Sequence, residues 1–465
     1  MTEMFKLIQP SFIPSLDEDF RPAVLANRAF RNGVTASGGG VPLLFGLERP
    51  DGSISRFETC VYPDDHPHSG ANLAYVERLV KFLIWQRGAW RIYVGGPRRI
   101  GEHVKHQYAP DGSRAFDFHF MGKNVYDRTF SVEVCDVADV PVEREGGKRL
   151  GRNLNGCRIG FDLGASDRKV AAVIDGKPVY SEEVVWDPRN HIDPTYHYQE
   201  IITALQTAAS KMPRVDAIGG SAAGVYVNKQ VRVASLFRGV PEDRYDEVRN
   251  LFLRIQDEMG VPLEITNDGD VTALAGSMSL GDNGVLGIAM GSSEASGYVN
   301  GQGQITGWLN ELAFAPIDYS PTAPVEEWSG DRGCGASYFS QQCVFRLAPK
   351  VGIDVPDDLT NAEKLKSVQA KLEAGHEGAV KIWQSIGYYL GYTIAHYADF
   401  YDLRHILILG RCTSGRGGPL ILAGAHEVLG AEFPTLAAQI NLQLPDETNR
   451  RVGQAIAAAS LPVIE

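Results

Sequence analysis

The sequence has no long hydrophobic run and no recognisable export signal. None of its apolar stretches approaches the roughly 20 residues that a membrane-spanning helix needs. The N-terminal sequence MTEMFKLIQPSFIPSLDEDF has neither the basic start nor the apolar stretch of a signal peptide. We therefore expect a cytoplasmic protein with no membrane partner.

Cysteine and positive charge are also scarce. The six cysteines include no Cys-x-x-Cys pair, which favours reduced thiols over a disulfide framework. The formal net charge is −12, and no stretch concentrates lysine and arginine as nucleic-acid binders do. We expect no nucleic-acid partner. An acidic protein can still bind ATP, because backbone amides and Mg²⁺ neutralise the phosphates locally.

The chain has enough apolar sequence for several domains. Of its 465 residues, 44% are hydrophobic and 22% charged, as in soluble globular proteins, and this length corresponds to about three domains. The polar segment 142–156 is the best linker, so residues 1–152 are predicted to form an α/β module, called the N-terminal module below. Within it we predict a helix over 72–86 and a strand over Phe116–Phe120.

The segment Ile159–Gly176 carries the most information in the chain. Its hydrophobic run ends at Asp162, turns through Gly164 and Ser166, and resumes as a second run, which predicts a β-hairpin. Amides and a hydroxyl in such a turn can hold phosphate oxygens while Asp162 faces a hydrated Mg²⁺. An ordinary hairpin with a glycine turn is the alternative.

An Asn–Asp pair follows a later predicted strand. Asn267 and Asp268 end that strand and open a predicted helix, and ligands of α/β proteins bind at such carboxyl ends. A lone carboxylate there can accept a proton from a hydroxyl that attacks the γ-phosphate, while the neighbouring amide holds a second hydroxyl. Both residue types are also common helix N-caps. We expect Asp270 to be the residue that serves purely as a cap.

Two further glycine-rich turns follow predicted buried strands. Gly291, Ser292 and Ser293 lie between two strands and offer amides and hydroxyls to the β- and γ-phosphates. Gly410 and Thr413 belong to the turn in LILGRCTSGRGG, where glycine lets a base or ribose approach the backbone closely.

With three such turns around an Asn–Asp pair, the chain resembles members of the sugar kinase/actin/Hsp70 superfamily. More narrowly, it resembles the ROK family (repressor, open reading frame, kinase) of sugar kinases and regulators. The resemblance covers about residues 157–462 and leaves 1–152 outside. It implies an α/β, two-lobed actin-like ATPase (ribonuclease H-like) fold with an interlobe cleft, preceded by the small α/β N-terminal module. The lobes would be residues 153–278 and 279–465, and the final helix, 447–460, is a candidate to pack back on the first lobe.

The motifs of this family are kept in part. Residues 162–167 match D-x-G-G-T-K, with alanine for the second glycine and aspartate for the lysine. The N-D-A-N motif, whose aspartate is the catalytic base of the family, stands here as Asn267, Asp268, Gly269 and Asp270. The sugar-binding G-E-x-G-H segment stands here as residues 310–314, in which Glu311 matches the sugar-hydroxyl ligand of the family and Phe314 replaces a histidine.

The zinc segment of the family, C-x-C-G-N-R-G-C-L-E, stands here as residues 327–336. Only Cys334 remains of its three cysteines, and the histidine ligand is gone. Because structural zinc needs four nitrogen or sulfur ligands, we predict no zinc here. Ala336 replaces a glutamate that would hold another sugar hydroxyl. Nearby aromatic residues either stack on a sugar or fill the space that zinc leaves, and we favour filling for Trp308, Phe314 and Trp328.

The resemblance implies a carbohydrate kinase that uses ATP and Mg²⁺. Asp268 would be the general base, Asn267 and Glu311 would bind substrate hydroxyls, and Asp162 would position Mg²⁺ through water. The turns would hold ATP through Gly164, Ser166, Gly291, Ser292, Ser293, Gly410 and Thr413. The alternative is a catalytically inactive sugar-binding or regulatory protein without a DNA-binding domain. The resemblance also suggests a homodimer. For residues 1–152 we expect a lid, a dimerisation element or a substrate-selecting cover.

Overall fold

The computed structural model describes residues 5–145, 150–445 and 447–464, with side chains outside 447–452. Its contacts divide the chain into two compact units. The first unit comprises Met1–Gly146, Ile288–Ser296 and Trp308–Leu444, and the second comprises Gly147–Gly287, Gly297–Gly307 and Pro445–Glu465. The N-terminal module therefore shares a unit with most of the predicted second lobe. The three-part division of the chain stays a prediction, and residues 146–149 of the predicted linker lie outside the described residues.

The N-terminal module contains its own four-stranded sheet. Its elements are α1 (Ala23–Ala36), β1 (Val41–Glu48), β2 (Ile54–Val61), α2 (Ala71–Arg87), β3 (Arg91–Gly95), α3 (Arg98–Gln107), α4 (Ala115–His119) and β4 (Ser131–Cys135). The strand order is β2-β1-β3-β4. Strand β1 is antiparallel to β2 and β3, and β3 is parallel to β4. The predicted helix over 72–86 is confirmed as α2.

The predicted strand over Phe116–Phe120 is wrong, because α4 and a short π-helix occupy this segment. Phe116 and Phe120 are four residues apart, a spacing that places side chains on one helical face, and their rings stack at 5.4 Å. Between them, the carboxylate of Asp117 accepts a hydrogen bond from the indole N–H of Trp85 at 2.8 Å. A distant partner thus stabilises a helix where we expected a strand.

The second unit is built on a five-stranded sheet. Its elements from the linker onward are β5 (Cys157–Leu163), β6 (Asp167–Ile174), β7 (Lys177–Val185), α5 (Pro194–Ala209), β8 (Ala217–Ala222), β9 (Val225–Val227), β10 (Gln230–Val233), α6 (Tyr245–Arg249), α7 (Leu251–Met259), β11 (Leu263–Asn267) and α8 (Asp268–Leu280). The strand order is β11-β8-β5-β6-β7. Strands β11, β8 and β5 are parallel, and β5 and β6 form the predicted hairpin, which is confirmed.

The remaining elements complete both units. They are β12 (Val285–Met290), β13 (Glu294–Val299), α9 (Gln341–Leu347), α10 (Asn361–Glu373), α11 (Glu377–Tyr397), β14 (His405–Leu409), α12 (Gly417–Glu432), α13 (Pro434–Gln439), β15 (Asn441–Gln443) and α14 (Glu447–Ala459). A second four-stranded sheet has the order β13-β12-β14-β15. Among the described residues, no helix combines the length and the apolar character required to cross a bilayer.

Helix α14 packs directly on the backbone of the five-stranded sheet. Ala455 and Ala459 join Ala171 and Val173 of β6 in a small buried cluster. At Gly219 in β8, an added Cβ would collide with the carbonyl oxygen of Ala458. The small residues on both sides therefore allow the helix axis to approach the strands closely.

We expect Gly219→Ala to destabilise the second unit by about 1–3 kcal/mol, because the new methyl group must push α14 off the sheet. Urea unfolding followed by far-UV circular dichroism measures this change. Gly287→Ala is the matched control, since a Cβ there meets its neighbours at an ordinary 3.6 Å. Equal stability of the two variants would contradict the close packing of α14.

Candidate functional site

Three parallel strands bring polar side chains to one edge of the sheet in the second unit. Asp162 of β5 lies opposite Ser221 of β8 in the strand register, and β11 leads into Asn267 and Asp268. Because parallel strands end at a common edge, these side chains form a candidate site there. The hydroxyl of Ser221 donates a hydrogen bond to Asp162 Oδ1 at 2.7 Å.

Asp268 begins α8 and is half-buried. Removal from water raises the pKa of its carboxyl to about 6, the negative charge of Asp162 adds to this rise, and the N–H of Gly269 opposes it. A carboxylate with such a pKa is still ionised at pH 7 and is a stronger base than an exposed aspartate. The group therefore suits general-base chemistry near neutral pH.

Asn267, and not Asp270, is the N-cap of α8, so the expectation for Asp270 was wrong. Asn267 Oδ1 accepts the N–H of Gly269 at 2.7 Å, and its Nδ2 donates to the carbonyl oxygen of Gly224 at 2.8 Å. Asp270 is buried, and its Oδ2 accepts the hydroxyl of Thr266 at 3.2 Å. Asn267 retains one amide hydrogen and one lone pair beyond these two bonds.

The turn between β5 and β6 uses much of its own polar surface. The N–H of Gly164 donates to the carbonyl oxygen of Asp167 at 2.9 Å, and the exposed Ser166 hydroxyl donates to Asp167 Oδ2 at 3.1 Å. Lys169 Nζ lies 3.0 Å from Asp167 Oδ1 and 3.6 Å from Asp162 Oδ2. Our sequence reasoning missed Lys169. The hairpin register, which pairs it with Asp162, is a signal that would have found it.

The Asp162 carboxylate fits the chemistry of a Mg²⁺ site. Carboxylate oxygens are ligands that Mg²⁺ accepts directly or through water, and the nearby ammonium group of Lys169 shows that Asp162 attracts a cation. Burial raises the pKa of Asp162, and the Ser221 hydroxyl and the positive charge of Lys169 oppose that rise. The adjacent negative charge of Asp268 would attract a divalent cation further.

A small hairpin beside the Asn–Asp pair adds a tyrosine that our sequence reasoning also missed. Strands β9 and β10 are joined by Asn228 and Lys229, both with positive φ, and Tyr226 lies in β9. Its hydroxyl donates to the carbonyl oxygen of Ala223 at 3.2 Å. Burial raises the pKa of Tyr226, and the negative charge of Asp268 adds to the rise. Tyr226 therefore belongs to the surroundings of the candidate base.

In the first unit, the turn after β12 presents two hydroxyls to solvent. Ser292 and Ser293 are exposed. The N–H of Gly291 is already donated to the carbonyl oxygen of Ser293 at 3.0 Å. Phosphate binding at this turn would therefore use the serines more than the Gly291 amide.

The turn after β14 lies against the end of β12. At Gly410, φ is +101° and an added Cβ would lie 2.6 Å from the carbonyl oxygen of Met290. The hydroxyl of Thr413 donates to the carbonyl oxygen of Gly410 at 2.9 Å and closes the turn. The two glycine-rich turns of the first unit therefore meet at one edge of its sheet, where glycine keeps the backbone accessible.

Glu311 lies on a loop that contacts the end of α2. It is half-buried, and its N–H donates to the carbonyl oxygen of Trp85 at 3.0 Å. Glu294 of β13, only 3% exposed, interacts with it. Burial raises the pKa of Glu294 to about 8, the hydroxyl of Ser296 opposes the rise, and the charge of Glu311 adds to it. Glu294 is thus largely neutral at pH 7. No pattern in the sequence singled it out.

The aromatic residues near residues 327–336 differ in their surroundings. Phe314 stacks on the buried ring of Trp85 at 4.3 Å, as expected for a residue that fills space. Trp328 is 60% exposed, so the expectation that it fills the space that zinc leaves was wrong. Trp308 donates its indole N–H to Glu145 at 3.2 Å. Burial raises the pKa of the Cys334 thiol, so this cysteine is a neutral, packed side chain.

An ion cluster occupies the surroundings of residues 327–336. It consists of three cations and three anions, namely Arg78, Lys81, Arg114, Glu77, Asp117 and Asp331. Asp331 Oδ2 lies 2.9 Å from Arg114 and 3.2 Å from Arg78. The described residues contain no group of three or more histidine, cysteine, aspartate or glutamate side chains that could hold a metal ion. Paired charges connect this segment to α2 and to Arg114, the residue before α4.

Solved structures show which fold these elements form. A transcriptional regulator of the ROK family, described as a homologue of the E. coli MLC protein, is 19% identical and superposes with a TM-score of 0.51 over 65% of this chain and 78% of that one. A ROK hexokinase from Thermus thermophilus is 16% identical, with a TM-score of 0.51 over 65% of this chain and 97% of that one. No family model and no curated protein matches the sequence.

The chain therefore has an α/β fold of the actin-like ATPase class. More specifically, about two thirds of it has the fold of ROK proteins, which confirms the predicted resemblance at the level of the fold. Identities this low do not transfer an activity, and the two similar structures include both a regulator and a kinase.

Proposed function

We propose that this protein is an ATP-dependent kinase of the ROK type that phosphorylates a hydroxyl of a sugar or sugar derivative. The observation that carries the proposal is the position of Asp268: half-buried at the carboxyl end of β11, next to Asp162, with a pKa raised to about 6. A fold alone does not define a reaction, but a base of this pKa beside a carboxylate that can hold Mg²⁺ suits the transfer of a phosphoryl group to an alcohol.

In this mechanism, Asp268 accepts the proton of the substrate hydroxyl while its oxygen attacks the γ-phosphorus of ATP. A new O–P bond forms, the bond to the β-phosphate oxygen breaks, and ADP leaves. Mg²⁺, held through water by Asp162, would neutralise charge on the phosphates. Asn267 and Glu311 would bind further substrate hydroxyls and orient the attacking one.

The glycine-rich turns would bind the nucleotide. Ser292 and Ser293 offer exposed hydroxyls to phosphate oxygens, and Gly410 and Thr413 offer a backbone surface to the adenosine. The turn at Gly164 and Ser166 would contribute after its internal hydrogen bonds rearrange. The absence of a nucleic-acid partner and a homodimeric state stay predictions.

A sugar-binding or regulatory protein without turnover is the second candidate. The contacts of Asp167 favour it, because this carboxylate occupies the place of the family's lysine and accepts the Ser166 hydroxyl. Asp167 and Asp162 share the single ammonium group of Lys169, so a phosphate at this turn would meet an excess of negative charge.

ADP release with a panel of aldohexoses and N-acetylhexosamines tests the proposal. We expect ADP release that depends on ATP, Mg²⁺ and one class of sugar. Sugar binding detected by calorimetry without ADP release under any of these conditions would support the second candidate instead.

The pH dependence of turnover provides another test. Because Asp268 acts as a base with a pKa of about 6, kcat/KM should be constant from about pH 7 upward and fall about tenfold per pH unit below pH 6. Initial rates between pH 4.5 and 8 measure the profile, and circular dichroism over the same range controls for unfolding. A rate that stays constant down to pH 4.5 would exclude this base.

A further inference from the structure

The N-terminal module holds the loop that carries Glu311. Asn310 is buried and has a φ of +51°, a left-handed conformation that asparagine tolerates but does not favour. Its N–H donates to the carbonyl oxygen of Gln86 at 2.8 Å, and that of Glu311 donates to the carbonyl oxygen of Trp85 at 3.0 Å. The last turn of α2 therefore supplies acceptors for two successive amides of the loop.

Trp85 connects this loop to the interior of the module. Its ring is fully buried and stacks on Phe314, three residues after Glu311, at 4.3 Å and 25°. Its indole N–H donates to Asp117 at 2.8 Å, and Asp117 in turn binds Lys81 at 2.9 Å. The loop is thus held by the backbone carbonyls of Trp85 and Gln86 and by the Trp85 ring, whose own orientation is restricted by its bond to Asp117.

The ion cluster attaches residues 327–336 to the N-terminal module as well. Asp331 is bound by Arg78 of α2 and by Arg114, and Cys334 pairs with Pro316 in an isolated β-bridge. The segment that the ROK resemblance assigns to zinc binding is thereby fixed to α2 and to Arg114, which precedes α4, and its bridge to Pro316 connects it to the Glu311 loop.

We propose that the N-terminal module positions Glu311 for substrate binding and that Trp85 is its positioning residue. The module is then a permanent support for the substrate loop. The proposal rests on the proposed function only for the role of Glu311 as a substrate ligand.

Hydrogen–deuterium exchange of the full chain tests the support without any ligand. In Trp85→Leu and Phe314→Leu, exchange of residues 309–316 should accelerate at least about tenfold, while exchange of β5 and β6 stays unchanged. Trp90→Leu is the control, since this tryptophan of the same module contacts Arg91 and Arg128. Unchanged exchange of residues 309–316 in both loop variants would overturn the proposal.

A kinetic cycle tests whether Trp85 acts through Glu311. The substrate is the panel sugar that gives the highest turnover. Introduced into the wild-type chain, Trp85→Phe should raise KM for this sugar about tenfold and leave KM for ATP unchanged. Introduced into Glu311→Gln, the same substitution should not raise KM for the sugar further. An equal rise of KM for the sugar in the wild-type chain and in Glu311→Gln would show that Trp85 acts through general packing, and it would refute the positioning role. If no sugar is turned over, the proposed kinase fails while the exchange experiment still decides whether the module supports the loop.

Discussion

Asp268→Asn should reduce turnover by about 10²–10⁴-fold, the usual contribution of a positioned general base. Asparagine keeps the shape of the side chain and can still interact with the N–H of Gly269, but it cannot accept the proton of the substrate hydroxyl. ADP release under saturating ATP and sugar measures the loss. We expect KM for both substrates to change little, because the substitution removes an interaction that matters mainly in the transition state.

A matched control uses the same substitution elsewhere in the second unit. Asp257 lies on α7 and is exposed, so Asp257→Asn should retain full activity and the same melting temperature. Turnover in Asp268→Asn within a factor of about two of the wild type would remove Asp268 from the mechanism. The kinase proposal would fail with it, because the proposed mechanism transfers the proton of the substrate hydroxyl to this carboxylate.

Lys81→Met should destabilise the protein by about 3–5 kcal/mol, the cost of removing one partner from a buried ion pair. Lys81 is 0% exposed and lies 2.9 Å from Asp117 and 3.6 Å from Asp331. Burial opposes its charge, but the carboxylates outweigh this effect and raise its pKa. The ion cluster contains equal numbers of cations and anions, so the variant leaves one buried negative charge uncompensated.

Urea unfolding monitored by tryptophan fluorescence measures this effect. The double variant Lys81→Met, Asp117→Asn restores charge balance and retains an acceptor for Trp85, so it should be more stable than Lys81→Met. Lys105→Met, at an exposed position of α3, should change stability by no more than about 0.5 kcal/mol. Similar free energies of unfolding for Lys81→Met and Lys105→Met would show that the ion cluster does not stabilise the protein.

Sequence patterns predicted correctly those helices and strands that follow from the spacing of apolar and turn residues near one another in the chain. The hairpin of β5 and β6 and helix α2 follow from apolar periodicity and a glycine turn. The segment 116–120 shows where such reasoning fails. Three phenylalanines at alternate positions suit a strand, yet the first and last are also four apart, which suits a helix. The buried bond from Trp85 to Asp117 favours the helix, and no local pattern contains it.

The candidate site likewise contains residues that the sequence identified and residues that only the folded structure revealed. The Asn–Asp motif and Asp162 are readable as sequence, because family motifs preserve residue types at fixed spacing. Lys169, Tyr226 and Glu294 are not, since their importance depends on which groups surround them. We left a capping role open for the Asn–Asp pair but expected Asp270 to be the pure cap. That expectation was wrong because several residue types at a helix start are acceptable caps, and only the backbone conformation selects one.

The amino-acid sequence by itself determined the periodic elements, the turns and the identity of the candidate base, since these depend on residues near one another in the chain. Only the tertiary structure decided the environment of Asp268, the raised pKa of Glu294 and the connection of the Glu311 loop to the N-terminal module. The reason is physical: pKa values, ion pairs and ring stacking depend on distances between atoms, and residues such as Trp85 and Phe314 are far apart in sequence but in contact in the folded chain.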